Sequence, residues 1–313
     1  MTVQNTTQIS RKRSTPAVNC SELQRLRIQT WYKHLLKRAV KNEVERYGDI
    51  AARRVAFGSE EALPDLNTAL QKWLNQQVKK NLHRLTLDES ELVLRLRRSR
   101  YDEGNSTPTA MTIRVCDLLL EGSATVYDVG PGDLPLWRVL DGDLKACKAY
   151  VQDMLNPSPK RWEEEFDEIV QEVFDALIAP AYRLALETIP VLGVQQREAH
   201  PVWLSYINSR YSATLADDET DKLPDTFMQV ESVLLAIAMM HIAAERLDGP
   251  VLQLEWLLVG LCWGVIAQQM DEHIQEYVLK SVEKRGKTID AALKKIGVRV
   301  SPFEKRWPGG LAP

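Results

Sequence analysis

Absences narrow this chain before any motif is considered. Only four cysteines are present, Cys20, Cys116, Cys147 and Cys262, and no two stand in Cys-x-x-Cys spacing. That spacing is what a zinc finger or a thioredoxin-type redox site needs, so neither is expected. So few cysteines in 313 residues fit reduced thiols better than a disulfide framework. No stretch offers the roughly 18–20 uninterrupted apolar residues of a membrane span. The segment from Met1 to Ser14 is polar, ends in Arg11-Lys12-Arg13 and lacks the apolar centre of a secretory signal, so the expected address is the cytoplasm. There is no Gly-x-Ser-x-Gly elbow, no glycine-rich loop running into Lys-Ser/Thr, and no internal repeat at solenoid periods.

What is present is ordinary globular composition, 44% hydrophobic and 27% charged. The formal net charge of -3 conceals an asymmetry. Residues 1–100 hold 20 Lys+Arg against 10 Asp+Glu, or +10; residues 101–313 hold 20 against 33, or -13. A basic first third on an acidic remainder implies an anionic partner at the N-terminal end, or two halves of one molecule attracting each other.

The expected fold is all-α, organised around a buried helical hairpin at about 225–284. Its first helix carries Val233 to Met240 and its second Trp256 to Ala267, hinged at Asp248-Gly249-Pro250. Helices apolar on nearly every side lie at the centre of a large fold or in a membrane, and the charges in these favour the former. Ahead of the hairpin, Ser21 with Gln24 has capping-box spacing, and a helix follows through Leu26, Trp31, Leu35, Val40 and Val44, loosened or ended at Gly48. A short helix spans Ile50 to Val55. Another starts near Pro64 and runs to about Arg84, with Leu66, Leu70, Trp73, Val78 and Leu82 on one face. Asp88 with Glu91 marks a fourth.

Tyr101 to Thr109 is polar with Gly, Asn, Ser and Pro together, and the charge changes sign there. This divides the chain into a basic tail (1–19), a basic helical region (20–104), an acidic helical core (105–300) and a Pro/Gly-rich tail (301–313). Within the core, Thr109 to Gly122 is expected to be helical and Ser123 to Pro135 an irregular, packed turn around Gly130-Pro131-Gly132. Leu144 to Leu155 should form a helix, and Trp162 to Ile178 an amphipathic one closed by Pro180. Short helices are expected at 181–189, 201–212 and 288–296, with an exposed acidic loop at 215–225.

The grouping most suggestive of function is basic. It comprises Arg11, Lys12 and Arg13, then Arg25, Arg27, Lys33, Lys37 and Arg38, then Lys72, Lys79, Lys80 and Arg84. Short helices in this region, with Lys41-Asn42-Glu43-Val44 where a second could begin, resemble a helix-turn-helix of the phage-repressor type. That resemblance implies one helix in a DNA major groove and a neighbour on phosphate. The expectation is a non-enzymatic, nucleic-acid-associated or regulatory protein whose core domain assembles, with protein–protein interaction and homo-oligomers among the partners. A helical scaffold subunit of a larger complex is the alternative.

Other clusters carry less. His241 with Glu245, and Asp271 with His273 and Glu276, offer bundle-type metal ligands without the Glu-x-x-His pattern, so no metal or cofactor is expected. Glu163 to Glu168 and Glu172 read as a solvated acidic face. Phe303 and Trp307, in the tail beside Lys305-Arg306, either fold back or anchor a partner.

Overall fold

In a computed structural model, residues 21–58, 60–94, 96, 101–188, 230–247, 250–266 and 271–306 are described. They are all-α, with no strand among them. Arg11, Lys12, Arg13, the 201–212 and 215–225 segments, Asp248, Gly249 and Trp307 lie outside these residues.

Helix α1 (Glu22–Ala39) is capped as expected, Ser21 Oγ accepting from the Gln24 N–H at 3.1 Å. The Gln24 side chain does not reach back, however; it donates to Tyr127 Oη. Val40 alone separates α1 from α2 (Lys41–Phe57), which runs straight through Gly48. A helical glycine costs about 1 kcal/mol, which weakens a helix without ending it. Asp65 caps α3 (Leu66–Lys80), whose buried stripe is Leu66, Leu70, Leu74 and Val78. The helix stops short of Arg84, leaving Leu82 60% exposed. Helix α4 (Leu87–Leu94) is set by a reciprocal box two residues upstream of Asp88–Glu91: Thr86 Oγ1 accepts from Glu89 N–H, and Glu89 Oε2 accepts from Thr86 N–H at 2.8 Å.

Thr109 caps α5 (Ala110–Leu119). The next segment is less irregular than its glycines imply, since Ser123–Asp128 forms α6 and Pro131–Asp133 a single 3-10 turn. Gly130 is required there: at φ 144° a Cβ would stand 2.7 Å from Leu136 Cβ and 2.8 Å from the Leu134 carbonyl. Trp137 pins the turn by donating Nε1–H to the Val126 carbonyl at 3.0 Å. Helices α7 (Leu136–Leu140), α8 (Leu144–Leu155) and α9 (Pro159–Glu164) follow. Helix α10 (Phe166–Thr188) carries on past Pro180 and absorbs the helix expected at 181–189. A proline removes one N–H bond and bends a helix, and packing on either side can hold it together.

The hairpin is α11 (Val230–Arg246) and α12 (Val251–Leu261), the latter running into a π-helical turn at Cys262–Ile266. A new helix, α13 (Glu272–Lys295), then starts at its own cap Asp271 and includes the helix expected at 288–296. Twelve consecutive residues of α11, Ser232 to Ala243, are buried. They are covered by α8, α12 and α7, while α10 closes over α12 and the π turn.

Two apolar clusters result. One joins residues of α7 to α13 around the hairpin and includes Leu26; the other extends from Ile28 to Tyr127. The apolar core therefore crosses the position near 105 that composition marks. Tyr101 stacks edge-on to Trp31 at 5.7 Å, and Gly104 lies where a Cβ would touch the Arg25 backbone at 2.9 Å, so this segment is seated on α1.

The end of the described chain also folds inward. Phe303, opening a last turn α14 (Phe303–Arg306), is 1% exposed, and its N–H donates to Asp290 Oδ2 at 2.6 Å. It fills a socket that Gly286 leaves open, and is thus an internal anchor, not one offered to a partner. A Cβ at position 286 would stand 2.3 Å from Phe303 Cδ2. Gly286→Ala should therefore destabilise by about 1–3 kcal/mol despite the better helix propensity of alanine. In a Phe303→Ala background the same change should cost less, the close neighbour that remains being the buried Glu255 carboxylate at 3.1 Å. Urea unfolding of the four proteins in this cycle measures the difference.

Candidate functional site

The basic residues of the N-terminal helices divide by their partners. Some are consumed by the fold. Arg27 lies 4.2 Å over the Tyr127 ring, donates to the Tyr127 carbonyl and pairs with Asp128 at 2.9 Å. Lys33 pairs with Asp271 at 2.8 Å. Arg46 and Arg53 both reach Glu61. Others are exposed and make no ion pair among the described residues: Arg25, Lys37, Arg38, Lys72, Lys79, Lys80 and Arg84.

These cations lie on more than one helix. Lys37 and Arg38 end α1; Lys79 and Lys80 end α3, with Arg84 in the turn beyond. Lys72 lines a groove with Glu43, Asp65 and the Ala39–Val40 end of α1. Both pairs stand at helix C-termini, where the macrodipole favours cations by about 0.3–1 kcal/mol. The helix pair also departs from helix-turn-helix geometry. That motif needs a turn of three or four residues, whereas α1 meets α2 through one residue, and 58–65 separate α2 from α3.

A second feature was not legible beforehand. A cleft of about 500 Å³ opens between α1, the Gly-Pro-Gly turn and the first residues of α11 and α13. From α1 it receives Thr30, Lys33, His34 and Lys37, three and four residues apart and so on one helix face. Glu231 and Asp271 face it from the other elements, with Pro131, Leu134, Val230 and Ile274 as apolar wall. Asp271 has two duties there. Its Oδ1 caps α13 by accepting from the His273 N–H at 3.0 Å, and the same carboxylate holds Lys33 across 238 positions of sequence. Burial pushes the Asp271 carboxyl up, but the Lys33 ammonium and the His273 N–H outweigh it and hold it below the ordinary carboxylate value. A half-buried pair of this kind contributes on the order of 1 kcal/mol.

Two polar atoms of the cleft have no partner. Thr30 Oγ1 and His34 Nε2 are both buried and unbonded, and Thr30 is only 7% exposed. Burial lowers the His34 pKa, and Arg38 and Lys37 lower it further, so its ring is neutral near pH 7. The helix-capping aspartate before Glu272 was a readable signal for part of this site. Thr30 and His34 carried none.

The histidines and acids weighed as metal ligands stay apart. His241 lies against Gly142 and Arg285 within the hairpin core, while Asp271 faces the α1 cleft. No group of three or more His, Cys, Asp or Glu that could hold a metal occurs among the described residues. Nor is any described thiol poised as a nucleophile: burial pushes Cys116 up to about 12 and Cys147 to about 11, and raises Cys262 as well. No described helix is long and apolar enough to cross a membrane.

Fold and cleft thus define an all-α protein with a polar cleft between two apolar clusters. Comparison with protein-family models, with curated proteins and with solved structures returns no match to this chain.

Burial makes His241 a pH-sensitive element of the core. Desolvation first, then Arg285, lower its pKa from 6.5 to about 4, against a bond to the Val139 backbone that raises it. A folded-state value below the unfolded one means that stability is complete above pH 6.5 and is lost as pH falls toward 4, by about 3 kcal/mol in all. His241→Leu should be the less stable protein at neutral pH yet recover about 2–3 kcal/mol relative to the parent by about pH 4.5. Unfolding midpoints at several pH values measure the difference.

Proposed function

We propose that this chain is a non-enzymatic regulatory protein whose N-terminal helices bind an anionic macromolecule, with nucleic acid as the first candidate. The observation behind this reading is the division of cations. The fold uses Arg27 and Lys33 internally and leaves Lys37, Arg38, Lys79, Lys80 and Arg84 solvated and without an ion pair among the described residues. Solvated cations retain their full charge for phosphate, and binding by them releases counterions, which makes affinity steeply salt-dependent.

A scaffold role is the second reading, and α2 favours it. Only Ile50 of its 17 residues is buried, and Val55 and Phe57 are 91% and 83% exposed. A helix held so lightly is free to meet a protein neighbour.

Binding of the full chain to duplex and single-stranded oligonucleotides across a salt series separates the two. The comparison is a variant with Lys37, Arg38, Lys79 and Lys80 changed to Glu. Arg27 and Lys33 are left intact, because reversing either would place like charges together inside the fold. Polyanion binding predicts a linear fall of log affinity with log salt, and a loss of about tenfold or more in the variant. Absence of binding at low salt removes this reading and leaves the scaffold.

A further inference from the structure

The cleft on α1 has a chemistry of its own that the polyanion reading does not use. Its charges resolve into one satisfied pair and two unsatisfied groups. Lys33 and Asp271 neutralise each other at 2.8 Å. Lys37 and Glu231 remain, one of each sign, neither in an ion pair among the described residues. Thr30 and His34 line the same cleft, and the Thr30 hydroxyl and His34 Nε2 have no partner. The Glu231 segment is held from behind, its carbonyl accepting from Tyr150 Oη at 3.2 Å.

A buried hydroxyl with no partner costs on the order of 1–3 kcal/mol, and such groups in a native fold call for an explanation such as an absent ligand. Thr30 is strongly buried and lines the cleft, which makes it a specific observation and not a surface accident. The volume, about 500 Å³, falls within the range of small-molecule sites. The wall contributed by Leu134, Val230 and Ile274 suits an apolar body.

We infer that this cleft binds a small zwitterion with an apolar body, a molecule of the amino-acid class. Its carboxylate meets Lys37 and accepts from Thr30 and from a neutral His34 that donates through Nε2. Its ammonium meets Glu231. A simple anion would leave Glu231 facing like charge, and a simple amine would leave Lys37, Thr30 and His34 unused. Because the cleft joins α1 to the first turns of α11 and α13, occupancy ties the N-terminal helices to the hairpin core.

The test is the thermal unfolding of the full chain, without nucleic acid, against individual proteinogenic amino acids. Leucine is set beside its two halves, 4-methylpentanoate and 3-methylbutylamine, and phenylalanine beside 3-phenylpropionate and 2-phenylethylamine; inorganic phosphate is the anion control. The expected result is a rise of about 3–6 °C with at least one apolar amino acid at saturation, and little with either of its halves or with phosphate. Thr30→Val should raise the melting temperature of the free protein, by removing the unpartnered hydroxyl, and yet abolish most of the ligand-induced rise. Lys37→Gln, at an exposed position, should lower the melting temperature of the free protein only slightly, through the lost helix-end charge, and weaken the response about tenfold or more in ligand concentration. The inference is overturned if no amino acid shifts the transition, if a half-molecule or phosphate shifts it as far, or if both variants respond like the parent. None of these outcomes depends on whether the chain binds polyanions.

Discussion

The central three turns of helix α11 have no solvent face. From Ser232 to Ala243 every residue is buried, His241 among them, so the helix can exist in water only if other elements enclose it. That requirement organises much of what surrounds it. Helix α8 lies along it, α12 returns beside it, α7 and the π turn fill its flanks, and α10 closes over the second hairpin helix. The apolar stripe of α10, with Phe166, Ile169, Val170, Phe174 and Leu177 buried, is the lid that this geometry demands. Its acidic side faces water because no surface remains for it to cover.

Enclosure has a cost in polar groups, and the fold meets it unevenly. His241 stays neutral in the core with Nδ1 unbonded, beside the half-buried Arg285. Gly286 appears where a larger residue would collide with Phe303, and Gly142, at φ 78°, where a Cβ would press His241 at 3.3 Å. The Phe303 socket shows the same economy: a missing side chain on α13 admits an aromatic ring from the strap that follows it. Polar groups at the edge of this core meet a different fate. At the α1 cleft the Lys33–Asp271 pair is satisfied, while Thr30 and His34 wait without partners.

Helix α1 is the element through which the two apolar clusters meet. Leu26 belongs to the hairpin cluster, whereas Ile28, Trp31, Tyr32 and Leu35 belong to the other. Lys33 then bridges to α13, and Arg27 to the end of α6. A helix read as a basic docking surface is therefore largely a structural strut, with its cationic surface confined to the exposed Arg25 and the last turn. The polar segment after Tyr101 is seated on the same helix. Composition marked it as a linker because glycine, asparagine and proline also serve close backbone contacts, as Gly104 does against Arg25.

The sequence by itself determined the local and the strongly periodic. It specified the all-α class, the cap at Ser21, the apolar hairpin, the stripe of α10 and the packed Gly-Pro-Gly turn, because each follows from hydrogen-bond geometry or helical period within a few residues. Boundaries at Gly48 and Pro180 misled, since a single unfavourable residue is outweighed by the helix on either side of it. What only the tertiary structure decided is which charges remain free and which groups share a cleft. Lys33 and Lys37 look alike along the chain, yet Asp271, 238 positions away from Lys33, neutralises one and leaves the other. Pairing and burial are relations between distant segments, and one-dimensional spacing carries no record of them.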